Sequence, residues 1–129
     1  MWIPYQPNEK RKRGNDCTIR AMMKLTGKSW LEVYWGICVC GAIIQDMPST
    51  NDVWAMWLKK QGYSRAVIPN SCPDCYTVAD FCADYPTGKY LVVVPQHVVA
   101  VVDGDYYDLF DSGDEAALYY WEEDENDQH

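Results

Sequence analysis

The sequence predicts an α+β domain in which helices come first and an antiparallel sheet follows. Three observations lead there. Apolar residues recur at helical spacing behind capping signals as far as Pro86, β-branched residues then crowd into short runs from Tyr90 onward, and Asp103-Gly104 separates two of those runs as a hairpin dipeptide. Helices gathered ahead of strands give an α+β layering rather than the alternation of an α/β fold.

Taken in order, Asn15-Asp16 can cap a helix that starts at Cys17 and runs to about Thr26, where Gly27 supplies the stop. Ser29-Trp30-Leu31-Glu32 is a capping box, and Leu31, Tyr34, Trp35 and Cys38 follow at i, i+3, i+4, i+7 as the predicted apolar face. Ser49 to Asp52 repeats the box and opens a helix carrying Val53, Trp54, Trp57 and Leu58 before Gly62. Thr77 to Asp80 does so again, with Val78, Phe81, Cys82 and Tyr85 on one face and Pro86 as terminator. Tyr90 to Val94 and Val98 to Val102 read as strands, Asp105 to Phe110 as the return strand, and Leu118 to Trp121 as a fourth. The sheet should pack against the first helix.

The chain of 129 residues fits one domain, residues 1–121, with an acidic tail at residues 122–129. At 48% hydrophobic, with six Trp and ten Tyr, it has the means to build a core without disulfides. No secretory signal and no run of 18 or more apolar residues is present, so the expected setting is cytoplasmic, where thiols stay reduced. The net charge of -8 is unevenly spread: Lys10-Arg11-Lys12-Arg13 precedes Cys17, while Asp103 to His129 holds eleven acidic residues and no Lys or Arg. One four-residue basic run in so acidic a chain argues against nucleic-acid binding and suits a solvated loop, a contact with the acidic part or a substrate. No membrane partner is expected.

Thiol chemistry needs a base within hydrogen-bond reach of the sulfur. Of the two histidines, His129 is the last residue, which leaves His97, at the head of an apolar strand where packing would not select an imidazole. Cys17 opens a helix, where the dipole and unpaired N–H groups favour a thiolate, and polar neighbours Asn15, Asp16, Thr18 and Arg20 argue against full burial. Taken singly, each residue reads first as a packed cysteine or a hydrogen-bonded structural histidine. Together with Asp111 in Asp108-Leu109-Phe110-Asp111-Ser112-Gly113, they form an ordered set far more specific than any member.

Gly14-Asn15-Asp16-Cys17-Thr18-Ile19-Arg20-Ala21 with Thr26-Gly27-Lys28-Ser29-Trp30, and His97-Val98-Val99-Ala100-Val101-Val102-Asp103-Gly104 with Tyr107-Asp108 and Asp111-Ser112-Gly113-Asp114, give the resemblance. In these blocks the chain resembles the papain-like cysteine peptidase superfamily, most closely its small single-domain members from phages and their bacterial hosts. The resemblance implies a papain-like fold and a cysteine protease that cleaves a peptide or isopeptide bond through an acyl-enzyme. Cys17 would be the nucleophile, His97 the general base and then acid, and Asp111 the residue that orients the imidazole. The oxyanion would be held by the Cys17 backbone N–H and an upstream side-chain amide. Papain-like enzymes commonly place a Gln a few residues before the Cys. Arg11, Lys12 and Arg13 stand there instead, so Asn8 is the preferred amide, with Gln6 behind it and Asn15 occupied by capping.

Strand parity adds a geometric expectation. A two-residue loop at Asp103-Gly104 would set His97 opposite Phe110 and turn Asp111 to the other face, whereas a three-residue loop Val102-Asp103-Gly104 would make His97 and Asp111 diagonal neighbours about 7 Å apart. Catalysis through Asp111 therefore predicts the odd-length loop.

Cys38-Val39-Cys40 and Cys72-Pro73-Asp74-Cys75 offer four thiols, the count of a structural zinc site, and Cys72 and Cys75 alone have redox-motif spacing. The first pair lacks metal-ligand spacing and Cys38 belongs to its helix's apolar face, so packing is the default, Cys82 is assigned to the core, and no metal or cofactor is expected. The functional reading is a thiol hydrolase with a peptide or protein substrate. Its rivals are a non-catalytic interaction module on the same fold and a zinc-stabilised adaptor.

Overall fold

The computed structural model describes residues 1–7, 16–68 and 76–123. Among these it has, in order, β1 (Trp2–Pro4), α1 (Cys17–Thr26), α2 (Trp30–Ile44), α3 (Asn51–Lys60), β2 (Tyr63–Val67), α4 (Val78–Asp84), β3 (Lys89–Val94), β4 (His97–Val102), β5 (Asp105–Asp108) and β6 (Tyr119–Glu123). The strands form one six-stranded sheet ordered β1-β5-β4-β3-β6-β2. The α+β class is thus found, with a correction: the sheet is mixed, because β1 runs parallel to β5. No described helix is long and apolar enough to cross a membrane.

Local signals explain most element ends. Gly27 takes φ 75°, where a left-handed residue costs glycine least, and its N–H returns to the Met23 carbonyl to close α1. Both halves of the Ser29–Glu32 box and of the Thr77–Asp80 box are formed, at the starts of α2 and α4. The box expected at Ser49–Asp52 is not: Thr50 is the N-cap of α3, without a side-chain cap, and its hydroxyl donates to the Met47 carbonyl instead. α4 ends at Asp84, before the Tyr85-Pro86 pair that disfavours helix.

The sheet is covered on both faces, which is why β3 and β4 are continuous apolar runs rather than alternating ones. Leu91, Val93, Val98 and Ala100 meet residues of α1, α2 and α3, including Met22, Val33 and Trp54. Their alternates Val92, Val94, Val99 and Val101 meet Val78, Phe81 and Cys82 of α4. The predicted faces of α3 and α4 are the buried ones, and Cys82 lies in the core. At 20–33 cal/mol per Å² of apolar surface, burying one such Val or Leu contributes about 1.5–3 kcal/mol.

α2 is turned differently from its predicted face. Val33, Ile37, Cys40 and Gly41 point inward, and Leu31 and Trp35 are exposed with Cys38 only half-buried. The helix is apolar almost all round, so spacing alone could not choose between its sides. Contact with α3 makes the choice: a Cβ at Gly36 would fall 2.1 Å from the Trp57 Nε1, so only glycine permits this approach.

β1 and β2 have no counterpart among the predicted strands. β1 is three residues long and exists through pairing of Trp2 to Pro4 with Tyr106 to Asp108. β2 has exposed Ser64 and Arg65 and pairs antiparallel with β6. That pairing includes Glu122 and Glu123, so these two belong to a strand and not to the tail assigned from the sequence. Residues 124–129 lie outside the described residues.

Candidate active site

Three ends converge at one end of the sheet. Cys17 is the first residue of α1, His97 the first of β4, and Asp108 the last of β5. A two-residue connection, Pro95-Gln96, links β3 to β4 with Val94 paired to His97 and Gln96 at φ 58°. The sharp turn leaves His97 at the very margin of the sheet, and α1 packs along β4.

The β4–β5 hairpin corrects the expected loop. Val102 pairs with Asp105, and Asp103 and Gly104 both have positive φ, 51° and 81°, as a two-residue type I′ turn requires. Continuing this register sets Phe110 opposite His97, and the two rings stack at 5.1 Å and 29°. Asp111 falls on the other parity. Its carboxylate accepts from the Tyr106 hydroxyl and the Gly113 N–H, and it makes no recorded contact with His97.

Asp108, which shares the parity of Phe110, takes the place assigned to Asp111. Its Oδ2 lies 2.6 Å from His97 Nε2, and its Oδ1 accepts from the Leu109 N–H at 2.8 Å. The Asp108 side chain is 3% exposed and that of His97 14%, so this bond is largely dry. The N-terminal strand holds the same residue from the other side: the Trp2 indole and the Tyr5 N–H both donate to the Asp108 carbonyl.

Cys17 is half-buried, with its sulfur beside the His97 side chain and the Val98 backbone. With Nε2 engaged by Asp108, Nδ1 is the ring nitrogen left for the sulfur. Burial pushes the thiol pKa up, but the His97 and Val98 hydrogen bonds and the charges of His97 and Arg20 outweigh it and hold it below the ordinary thiol value. For His97 burial pulls the pKa down, and the hydrogen bonds and charges of Asp108 and Cys17 overcome that and raise it to about 9. Both shifts favour a thiolate–imidazolium pair.

Asp16 does not cap α1 with its side chain. It is buried at 7% exposure, ion-pairs with Arg20 at 6%, and accepts from the Trp30 indole at 2.9 Å. The polar neighbours read from the sequence as a sign of exposure are in part a buried cluster that ties the first turn of α1 to α2. Cys17 remains accessible beside it. Its backbone N–H belongs to the first turn of α1, where helix geometry supplies no acceptor from within the helix, a position that suits an oxyanion. Asn8, the preferred side-chain partner for that role, and Asn15 lie outside the described residues.

Cys72 and Cys75 also lie outside the described residues. Cys40 is buried and Cys38 half-buried, and side chains two apart on a helix do not share a face. They cannot both turn to one ion.

The sequence reading missed Asp108, Phe110 and the roles of Asp16 and Trp30. Asp108 was recoverable: it stands in the block that carries the resemblance, and the two-residue hairpin puts it diagonal to His97 on the same face. None of the protein-family models, curated proteins or solved structures compared with the chain matches it, so the reading of this site rests on its geometry and on the resemblance in its motifs.

Proposed function

We propose that the chain is a papain-like thiol hydrolase that cleaves a peptide or isopeptide bond through an acyl-enzyme on Cys17. The observation that supports this most is the connected order Cys17–His97–Asp108, with the thiol pKa lowered and the imidazole pKa raised. In the first step the Cys17 thiolate attacks the carbonyl carbon, and the oxyanion is stabilised by the Cys17 N–H. The His97 imidazolium then gives its proton to the leaving amine as the carbon–nitrogen bond breaks, leaving a thioester. In the second step neutral His97 takes a proton from water, which attacks the thioester and releases the acid and the thiol. Asp108 holds the imidazole with Nδ1 toward sulfur and stabilises its positive charge. A peptide or protein is the substrate class, in a cytoplasmic setting.

Alkylation by iodoacetamide, read by peptide mass spectrometry, tests this reading. Cys17 should modify readily at about pH 6, well below the ordinary thiol pKa of about 8.5, and the other cysteines should not. His97→Ala should move the labelling midpoint up by about one unit or more, equivalent to about 1.4 kcal/mol. Labelling that begins only above about pH 8 and ignores His97→Ala would leave the pair uncoupled and favour the non-catalytic interaction module.

A further inference from the structure

We infer that the outer face of α2 is a self-association surface, on which a second copy of this chain docks its own α2 antiparallel about a two-fold axis. Leu31, Trp35, Val39 and Ile43 stand one turn apart along one line of the helix and are 56–62% exposed. Tyr34 and Met47, 37% and 66% exposed, widen the line into a patch. At ordinary side-chain areas these six present roughly 700 Å² of apolar surface, close to the ~800 Å² per partner of a standard interface. A typical monomer exposes no more than about 300–600 Å² in its largest patch.

What covers the face follows from charge. No Asp, Glu, Lys or Arg occurs from Val33 to Gln45 in a chain of net charge -8. Repulsion between two acidic copies is least where carboxylates are few, and on this face Glu32 and Asp46 stand only at its two ends. A helix lying on an anionic lipid surface would carry Lys or Arg, and none occurs from Ser29 to Leu58. Residues 8–15, 69–75 and 124–129 contain no Leu, Ile, Val, Met, Phe, Trp or Tyr.

The pattern is also self-complementary. A row at i, i+4, i+8, i+12 packs against its own antiparallel copy, so Leu31 meets Ile43 of the second copy and Trp35 meets Val39. Bulky Trp35 thereby faces the smaller Val39, and a depression lined by Cys38, Ala42, Gln45, Met47 and Pro48, with Asp46 at its edge, lies beside the row. The site at Cys17 is not part of this face.

Sedimentation velocity over a concentration series up to about 100 µM tests the inference, a range in which micromolar association is plain. Wild type should dimerise. Leu31→Lys and Ile43→Glu, each at an exposed position, should singly weaken the dimer by about tenfold or more while leaving the melting temperature of the monomer unchanged. The double variant places opposite charges across the two-fold axis, too far apart within one helix to pair, and should recover much of the association. A wild type that stays monomeric throughout, or a dimer indifferent to both single substitutions, overturns the inference. A dimer lost in both singles and not recovered in the double overturns the antiparallel register.

Discussion

Asp108 Oδ2 sits 2.6 Å from His97 Nε2, although the two residues lie on neighbouring strands as diagonal rather than directly opposed positions. A two-residue hairpin produces this spacing, since its register, continued outward, sets Asp108 opposite Val99 and Phe110 opposite His97. Asp111, one step further, is turned away. Asp108→Asn should therefore reduce any turnover by about 10²–10⁴-fold through loss of imidazole orientation. Asp111→Asn should leave turnover and the pH profile of Cys17 alkylation unchanged. Comparing the two variants by alkylation rate and hydrolysis decides which carboxylate serves the imidazole.

The coupled shifts at Cys17 and His97 have opposite consequences for stability. His97 is raised from 6.5 to about 9, so its contribution is full below 6.5 and fades as pH rises through 9. Cys17 is lowered from 9.0, so its contribution is full above 9.0 and fades as pH falls through its folded value. Just below pH 9 the two trends oppose each other, so the wild-type melting temperature should change less steeply there than the His97 contribution alone would make it. Cys17→Ser removes the rising contribution and also part of what raises His97, so the melting temperature should decline from pH 6.5 upward, over a narrower range than the wild-type His97 value implies. Differential scanning calorimetry at half-unit pH steps measures the contrast.

Arg20 and Asp16 form a buried pair, and removing one partner strands the other's charge. Arg20→Met should cost about 3–5 kcal/mol in urea unfolding, far more than loss of a surface ion pair. Because the same cation lowers the Cys17 pKa, the variant should also move the alkylation midpoint upward.

Phe110 covers the imidazole while remaining 48% exposed itself. Phe110→Ala should cost only about 0.5–1.5 kcal/mol of stability, the value of one aromatic pair. Admitting water to the His97–Asp108 bond should have a larger effect on function, seen as slower Cys17 alkylation at about pH 6. An unchanged alkylation profile would reduce Phe110 to surface packing.

The legible parts of this chain are those specified locally. Ser29–Glu32 and Thr77–Asp80 announce helix starts by residue type and spacing alone, and Asp103-Gly104 announces its turn because both positions need positive φ. β1 and β2 are illegible for the opposite reason: Trp2 to Pro4 and Tyr63 to Val67 become strands only by pairing with distant ones. The orientation of α2 was hidden by apolar residues on every side, and was set by the approach of Trp57 to Gly36. At the site, Cys17 and His97 were readable from their positions at element starts. The carboxylate depended on hairpin register, where one residue of loop length decides which aspartate shares a face with the histidine.

Cys17 emerges from the ribosome long before the residues that flank its sulfur, because it opens the first helix whereas His97 and Asp108 belong to β4 and β5. Until β4 and β5 are made and paired, the thiol lacks the His97 and Val98 neighbours that lower its pKa. On the proposed reading, order of synthesis would then act as a safeguard, since a chain that ends before β4 lacks the imidazole that lowers the thiol pKa.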